Sequence, residues 1–341
     1  MTDPLLSVSG LRTTFETGRG TVKAVDGVSF DVNRGETVCL VGESGSGKTV
    51  ACESITRLIP TPPGEITDGR IVFDGEDVLD CSSSELREIR GNRIAYVFQN
   101  PQNALDPVYS VGRQVAESVR YHRDVSKSAA RRRAVELLDR VGIPKAEVRA
   151  DDYPHEFSGG MRQRVVIAMA LAGEPDLLIA DEPTTALDVT IEAQILELLA
   201  DLQAERDMAI LFVTHDLGVV AQIADRVVVL YAGKVMERGS VHDIFDHPAH
   251  PYTQALLACL PGRGGSLQPI GGSMADPVSP PSGCRFHPRC PHATDDCERS
   301  GQPPLQGVTD SQHASCIFYR EGRDSSVVLG DDPEPIQEEQ R

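Results

Sequence analysis

Apolar and polar positions alternate through most of residues 1–37, interrupted by the polar turn "ETGRGT", and this period of two predicts short strands of an antiparallel subdomain. At residue 38 the pattern changes. "VCLV" (38–41) is a continuous apolar run, the mark of a strand buried on both faces, and "TVACESITRLI" after it predicts a helix. Buried-strand runs return in "DLLIA" (176–180) and "LFVT" (211–214), and 189–233 alternates helix with strand as a parallel sheet requires. Between them, 103–173 reads as helical, most clearly in "SKSAARRRAVELLDRVG" and "VVIAMALA". The pattern therefore predicts an α/β core that carries 38–99, gives way to a helical insert, and resumes near 176. The insert's Lys and Arg gather on one side of "SKSAARRRAVELLDRVG", which by default is a solvated helix face.

No run reaches the roughly 18 apolar residues that span a membrane. "VVIAMALAG" (165–173) is half that length, and "MTDPLLSVSG" has neither the basic stretch nor the apolar core of a signal peptide. Any work at a membrane is expected to go through a partner. Asp and Glu number 51 against 33 Lys and Arg, a net charge of −18, which argues against nucleic-acid binding because that needs a basic footprint. The same excess suits a high-salt cytoplasm, where screening tames self-repulsion. The 8 cysteines, with no secretory signal, point to thiols or metal ligands rather than disulfides. Cys39, Cys52, Cys81 and Cys259 are scattered among apolar neighbours and read as small packing residues.

Between the first buried strand and its helix, Gly42, Gly45, Gly47, Lys48 and Thr49 fit G-x-x-x-x-G-K-[ST], with Ser44 and Ser46 between the glycines. Glycine lets the backbone wrap a phosphate so that successive N–H groups point at its oxygens, and the helix N-terminus adds a favourable dipole. Lys48 reaches the β- and γ-phosphates, and the Thr49 hydroxyl is placed for Mg²⁺. "DLLIADEP" supplies the acidic partner: Asp181 for Mg²⁺, and Glu182 to polarise an attacking water. An isolated Asp-Glu pair is usually a solvated strand end; the loop at 42–49 reverses that judgement. "FSGGMRQR" (157–164) places Ser158, Gly159 and Gly160 at the start of another helix, a second anion-binding terminus.

These motifs together resemble the ATP-binding subunit of an ABC transporter. Phe157-Ser158-Gly159-Gly160-Met161 is similar to the LSGGQ-type signature, departing from it at Phe157 and Met161. Gln99 in "YVFQNP" resembles the Q-loop glutamine, Asp188 in "TALD" the D-loop acid, and His215 in "LFVTHDL" the switch histidine. The resemblance implies a P-loop NTPase (RecA-like) core with an antiparallel β subdomain and a helical subdomain over about 100–173. It implies catalysis by Lys48, Gln99, Glu182 and His215, and Mg²⁺ on Thr49, Gln99 and Asp181. It further implies ATP stacked on Phe15, and Ser158, Gly159, Gly160 and Asp188 acting in trans on a second ATPase's nucleotide. The groove after Gln99, with "NPQNALDP" (100–107), is where the family receives its membrane subunit.

"HPAHPYTQALLACLP" (247–261) and the later "GCRFHPRCPHA" resemble the C-terminal extension of dipeptide and oligopeptide importer ATPases. The implied limits are 1–260 for the nucleotide-binding domain, 261–323 for a small Cys-rich extension and 324–341 for an acidic tail. The Gly/Pro/Ser-rich stretch 262–283 is a linker or extended wrap. The thiols Cys284, Cys290, Cys297 and Cys316 follow C-x5-C-x6-C-x18-C, without the C-x2–4-C knuckle common in zinc sites. That spacing suits a [4Fe–4S] cluster that staples the tail, with zinc, joined by His287, His292 or His313, and unliganded thiols as the alternatives. The partners implied are a paralogous ATPase, two transmembrane permease subunits and an extracytoplasmic peptide-binding protein, with the chain peripheral on the cytoplasmic face. A nickel or other small-solute importer is the nearer alternative; a soluble non-transport ABC ATPase or an exporter is more distant.

Overall fold

The amino-terminal alternation folds as strands β1 (Leu6–Thr17) and β2 (Gly20–Val32), joined by a turn at Gly18 and Arg19. Val28, Phe30 and Val32 are buried and alternate with the less buried Ser29 and Asp31. In β1 the parity of buried positions shifts between Val8 and Leu11, and Gly10, at φ 61°, takes up the extra residue. Strand β3 (Thr37–Val41) is buried at every position and delivers the chain to helix α1 (Lys48–Ile55). Strands β4 (Gly64–Phe73) and β5 (Glu76–Asp77) pair antiparallel. Helix α2 (Ser83–Ile89), started by a Ser82–Glu85 capping box, leads to β6 (Ile94–Val97). Five helices follow: α3 (Pro101–Ala104), α4 (Val111–His122), α5 (Lys127–Arg140), α6 (Ala146–Arg149) and α7 (Gly159–Ala170). Strand and helix then alternate through β7 (Leu177–Asp181), α8 (Val189–Arg206), β8 (Ala209–Thr214), α9 (Leu217–Ile223), β9 (Arg226–Tyr231) and β10 (Lys234–Ser240). The chain continues with α10 (Val241–Asp246), α11 (Pro251–Ala258), α12 (Asp295–Arg299), β11 (Gln306–Gly307) and β12 (His313–Ala314).

This computed structural model describes residues 3–185, 187–260 and 270–329, and the side chains of all of these but 102 and 103. It divides into one unit of Met1–Leu6, Asp31–Thr37 and Val72–Val213 and another of Ser7–Phe30, Val38–Ile71 and Thr214–Arg341. Among the described residues no helix is long and apolar enough to cross a membrane.

In the first unit, β6, β7 and β8 run parallel, with Ile94 opposite Leu177 and Leu177 opposite Ala209. Every residue of β7 and β8 is buried, which is why their sequences are unbroken apolar runs. Helices α4, α5 and α7 pack together; α4 turns Val111, Val115 and Val119 inward at helical spacing, and α5 does so with Ala130, Ala134 and Leu138. The arginine run on α5 is more than a solvated face. Arg131 grips both oxygens of Asp151 at 2.8 Å, Arg133 reaches Glu136 and Glu174 at 3.0 Å, and Arg140 pairs with Glu205.

In the second unit, β3 lies parallel to β9, and β9, β10, β12 and β11 continue antiparallel. The late strand β12 thus covers an edge of β10 that would otherwise carry unpaired backbone groups. Glu237 of β10 fastens this region. Its wholly buried carboxylate accepts the Ala249 and His250 N–H groups and the Gln312 amide, each at 2.8 Å. Burial raises its pKa to about 7, against donors that work to lower it. His250 caps α11, its Nδ1 accepting the Tyr252 N–H at 3.0 Å, and burial keeps it neutral with a pKa lowered to about 3.

Because Glu237 binds its proton more tightly folded than unfolded, its contribution to stability is full below about pH 4.5 and lost as pH rises through about 7. Denaturation of wild type and Glu237→Gln across that window should show the wild type losing stability relative to the variant. A difference that does not change with pH would contradict the assignment.

Candidate functional site

The glycine loop is shaped by contacts that admit no side chain. Gly42 has φ 149°, and a Cβ there would stand 2.1 Å from the Leu230 carbonyl oxygen; Gly47 has φ 101°, with a Cβ 2.3 Å from that of Ala24. The buried Lys48 folds its ammonium back on the loop, donating to the Gly42 carbonyl at 2.7 Å and the Glu43 carbonyl at 3.1 Å. The loop is pinned at both ends. Glu43 N–H donates to the Tyr252 hydroxyl at 2.9 Å, and Gly233 N–H to the Ser46 carbonyl at 2.9 Å. The Ser46 hydroxyl is buried without a hydrogen-bond partner among the described residues, a donor that suits a phosphate oxygen. Gly45 has φ 81°, Ser44 is exposed, and Thr49 follows Lys48 in the first turn of α1.

His215 belongs to the same unit. It is exposed just beyond β8, where Asp216 caps α9 by accepting the Gly218 and Val219 N–H groups at 2.7 and 3.4 Å. Phe15 lies half-buried in β1 beside Gly64, where a Cβ would come 2.8 Å from its ring.

The first unit gathers the acidic groups. Asp181, at the end of β7, is buried and accepts the Tyr96 hydroxyl at 3.1 Å. Glu182 follows at φ 47°, a left-handed conformation rare for a non-glycine residue and a mark of a constrained site. One of its oxygens, Oε2, accepts both the Gln99 amide at 2.7 Å and the Thr185 hydroxyl at 2.9 Å. The structure thus brings Gln99 against Glu182, the residue that follows Asp181. Tyr96 and Thr185, which hold them, were not singled out by the sequence reading, although both stand within the quoted motifs.

In the same unit Ser158 caps α7, its hydroxyl accepting the Met161 N–H at 3.3 Å, with Gly159 and Gly160 in the first turn. A Cβ on Gly160 would come 2.3 Å from the Ile191 side chain, so α8 leaves room only for glycine. The two departures from the common signature share one neighbour. The Arg149 guanidinium lies 4.7 Å from the centre of the Phe157 ring and donates to the Met161 sulfur at 3.6 Å. Asp188 is exposed at the N-terminus of α8; its neighbour Ala186 lies outside the described residues.

The four C-terminal thiols are brought together. Cys284, Cys290, Cys297 and Cys316 line one cavity, walled also by Phe286, Ile317 and Phe318. Burial, reinforced by the neighbouring thiols, pushes Cys284 up to about 12 and Cys290 up to about 11, and raises Cys316. Of the nearby histidines, His287 lines the cavity, while His292 and His313 do not line it. Among the described residues, no three His, Cys, Asp or Glu side chains converge to hold a single metal ion.

A phosphate loop between buried strand and helix, a strand ending in an acid pair, and a Ser-Gly-Gly helix start define an ATP-binding cassette. This chain belongs to the ABC transporter family of ATPases, whose model matches residues 25–185, and it carries the oligopeptide/dipeptide transporter C-terminal region, matched over residues 236–297. It is 49% identical over 332 residues to the dipeptide transport ATP-binding protein DppD of Bacillus subtilis (strain 168), covering 96% of this chain and 99% of that protein. It is 51% identical over 314 residues to the oligopeptide transport ATP-binding protein OppD of the same organism, covering 91% and 87%. Among solved structures, it is similar to a dimeric ATP-binding cassette in a post-hydrolysis state bound to ADP and Pi (TM-score 0.63, 30% identity, 69% of this chain and 98% of that one). It is also similar to cbiO1 of Clostridium perfringens, part of an ABC transporter complex (TM-score 0.60, 31% identity, 72% and 91%).

Glu182→Gln keeps the hydrogen-bonding shape and removes the carboxylate that its motif assigns as base. It should bind ATP as the wild type does and hydrolyse it at least about 100-fold more slowly in single-turnover assays. A wild-type rate would remove Glu182 from that role.

Proposed function

We propose that this chain is the ATP-hydrolysing subunit of a membrane importer of di- and oligopeptides. The observation that carries this reading is the pairing of an ATPase cassette with an oligopeptide/dipeptide-type C-terminal region in one chain, at about half identity to proteins named for peptide transport. The loop at 42–49 would take the phosphates of ATP, with Lys48 and the Ser46 hydroxyl available to their charge. Thr49, Gln99 and Asp181 would hold Mg²⁺, which supplies neutralisation of charge on the phosphate oxygens. Glu182 accepts the proton of the attacking water, and His215 contacts the γ-phosphate. Gln99 and Thr185 both donate to Oε2 of the Glu182 carboxylate and so hold it in place.

Ser158, Gly159, Gly160 and Asp188 would act on the nucleotide of a paralogous ATPase in a head-to-tail pair. Two permease subunits and an extracytoplasmic peptide-binding protein complete the importer, with this chain peripheral on the cytoplasmic face. The loop 100–107 is the proposed permease contact; Gln114 holds its far end by accepting the Asp106 N–H at 2.8 Å and donating to the Asp106 carbonyl at 2.9 Å. We take residues 1–260 as the nucleotide-binding domain and 261–323 as the extension; 261–269 and most of the acidic tail, 330–341, lie outside the described residues. High-salt adaptation is the reading that the charge of −18 supports, and activity should be greater in molar KCl than in dilute buffer.

For the four C-terminal thiols the reading we favour is a [4Fe–4S] cluster, with a zinc ion as the alternative; what supports it is that all four line one cavity. In such a cluster each thiolate binds a different iron. Such a group would supply a crosslink among Cys284, Cys290, Cys297 and Cys316. The raised thiol pKa values mean that loading releases protons. Chain purified without oxygen should contain about four irons and four sulfides; one zinc and no iron would overturn the cluster.

Labelled dipeptide uptake by cells carrying the whole importer tests the function. Uptake should be present with the wild-type chain and abolished by Glu182→Gln. Nickel uptake that depends on Glu182, with peptide uptake unaffected, would replace the peptide reading.

A further inference from the structure

The segment between Cys284 and Cys290 reads Arg285-Phe286-His287-Pro288-Arg289; Arg289 bonds Glu43 of the phosphate loop, and Arg285 bonds Asp26 and the Ala232 carbonyl, which neighbour Gly233 against the loop's Ser46. We propose that Arg289, acting through Glu43, is a positioning residue for ATP binding, with Arg285 bracing the loop's other end. The proposal rests on the loop's role in binding ATP and adds what holds the loop in its binding shape.

Glu43 is the first residue after Gly42, and Arg289 grips its carboxylate with two parallel bonds, Nη1 to Oε2 at 2.6 Å and Nη2 to Oε1 at 3.1 Å. The Arg289 side chain is only 4% exposed. Its remaining donors are also engaged: Nε to the Gly271 carbonyl at 2.8 Å, Nη2 to that of Ile270 at 3.2 Å, and Nη1 to the Tyr231 hydroxyl at 3.3 Å. A guanidinium held on every side defines the position of the carboxylate it grips. Glu43 passes that order on, because its own carbonyl accepts both the Ser46 N–H at 3.1 Å and the Lys48 ammonium at 3.1 Å. The Tyr252 hydroxyl fixes the Glu43 N–H from the same side.

Arg285 works at the other end. Nη2 bonds Asp26 at 2.5 Å and Nη1 the Ala232 carbonyl at 3.1 Å. Asp26 N–H donates to the Gly233 carbonyl, and Gly233 N–H to the Ser46 carbonyl, both at 2.9 Å. One 3-10 turn, His287–Arg289, sets the spacing between the two arginines.

Charge makes the same demand as geometry. A carboxylate beside a site for a polyanion repels it, and Arg289 neutralises that carboxylate. Loss of Arg289 would free Glu43 to move and leave its charge unbalanced, and both effects weaken ATP binding.

The test is a mutant cycle on the full chain, reading ATP affinity by equilibrium titration. Arg289→Ala should raise the Kd roughly tenfold, the scale of a charge-assisted bidentate pair, and Arg289→Lys should lie between. On a Glu43→Ala background, adding Arg289→Ala should change Kd by less than about twofold, since the arginine then has nothing to act through. In the assembled transporter Arg289→Ala should raise KM and leave kcat within about twofold of wild type. A wild-type Kd in Arg289→Ala, or the same loss with and without Glu43, would overturn the proposal. If Arg289→Ala does not fold, Tyr252→Phe tests the same support while keeping the ring; it should also raise Kd, and unchanged affinity would overturn the proposal. Lys48→Ala serves as the control: retained ATP binding there would indict the loop's assignment rather than the clamp.

Discussion

The close approach of backbone to backbone at the phosphate loop is the constraint on which the second unit depends. Gly42 faces the Leu230 carbonyl of β9 and Gly47 the Ala24 carbonyl of β2, both nearer than any Cβ would tolerate. A loop that presents N–H groups to a phosphate keeps few internal bonds, such as Ser46 N–H to the Glu43 carbonyl, so much of its shape has to be imposed by neighbours. Those neighbours come from far along the chain: the 232–233 turn, Tyr252 of α11, and Arg289. The C-terminal extension is therefore part of what holds the phosphate loop as well as an appendage to it.

The cysteine cavity gains meaning in that setting. Cys284 and Cys290 bracket the two arginines, and Phe286 between them packs its ring 5.2 Å from Tyr252 and 5.4 Å from Tyr231. Cys284 N–H also donates to the Cys297 carbonyl at 2.8 Å, which ties the segment to α12. A crosslink among the four thiols would hold the segment that carries Arg285 and Arg289.

Much of this was legible in the sequence, for a physical reason. The glycine loop, the buried strands and the Ser158 cap are local: each follows from residues a few positions apart, and the backbone realises it wherever the chain goes. The acid pair was legible once the loop supplied its context. What could not be read were pairings set by tertiary position. Nothing marks Glu43 as the partner of Arg289, 246 positions away, or Glu237 as a buried carboxylate joining Ala249, His250 and Gln312. The arginines of α5 read as a solvated face because their partners Asp151 and Glu174 lie beyond the helix. Two-residue strands such as β11 and β12 leave no periodicity to detect.

Hydrogen exchange on the full chain, with and without Mg-ATP, decides whether the extension orders with the loop, because amide protection reports which segments order together. If the loop and the arginine segment form one cooperative element, ATP will slow exchange at 42–49 and also at 284–290. Protection confined to 42–49 would contradict the account and leave the extension a bystander to nucleotide binding.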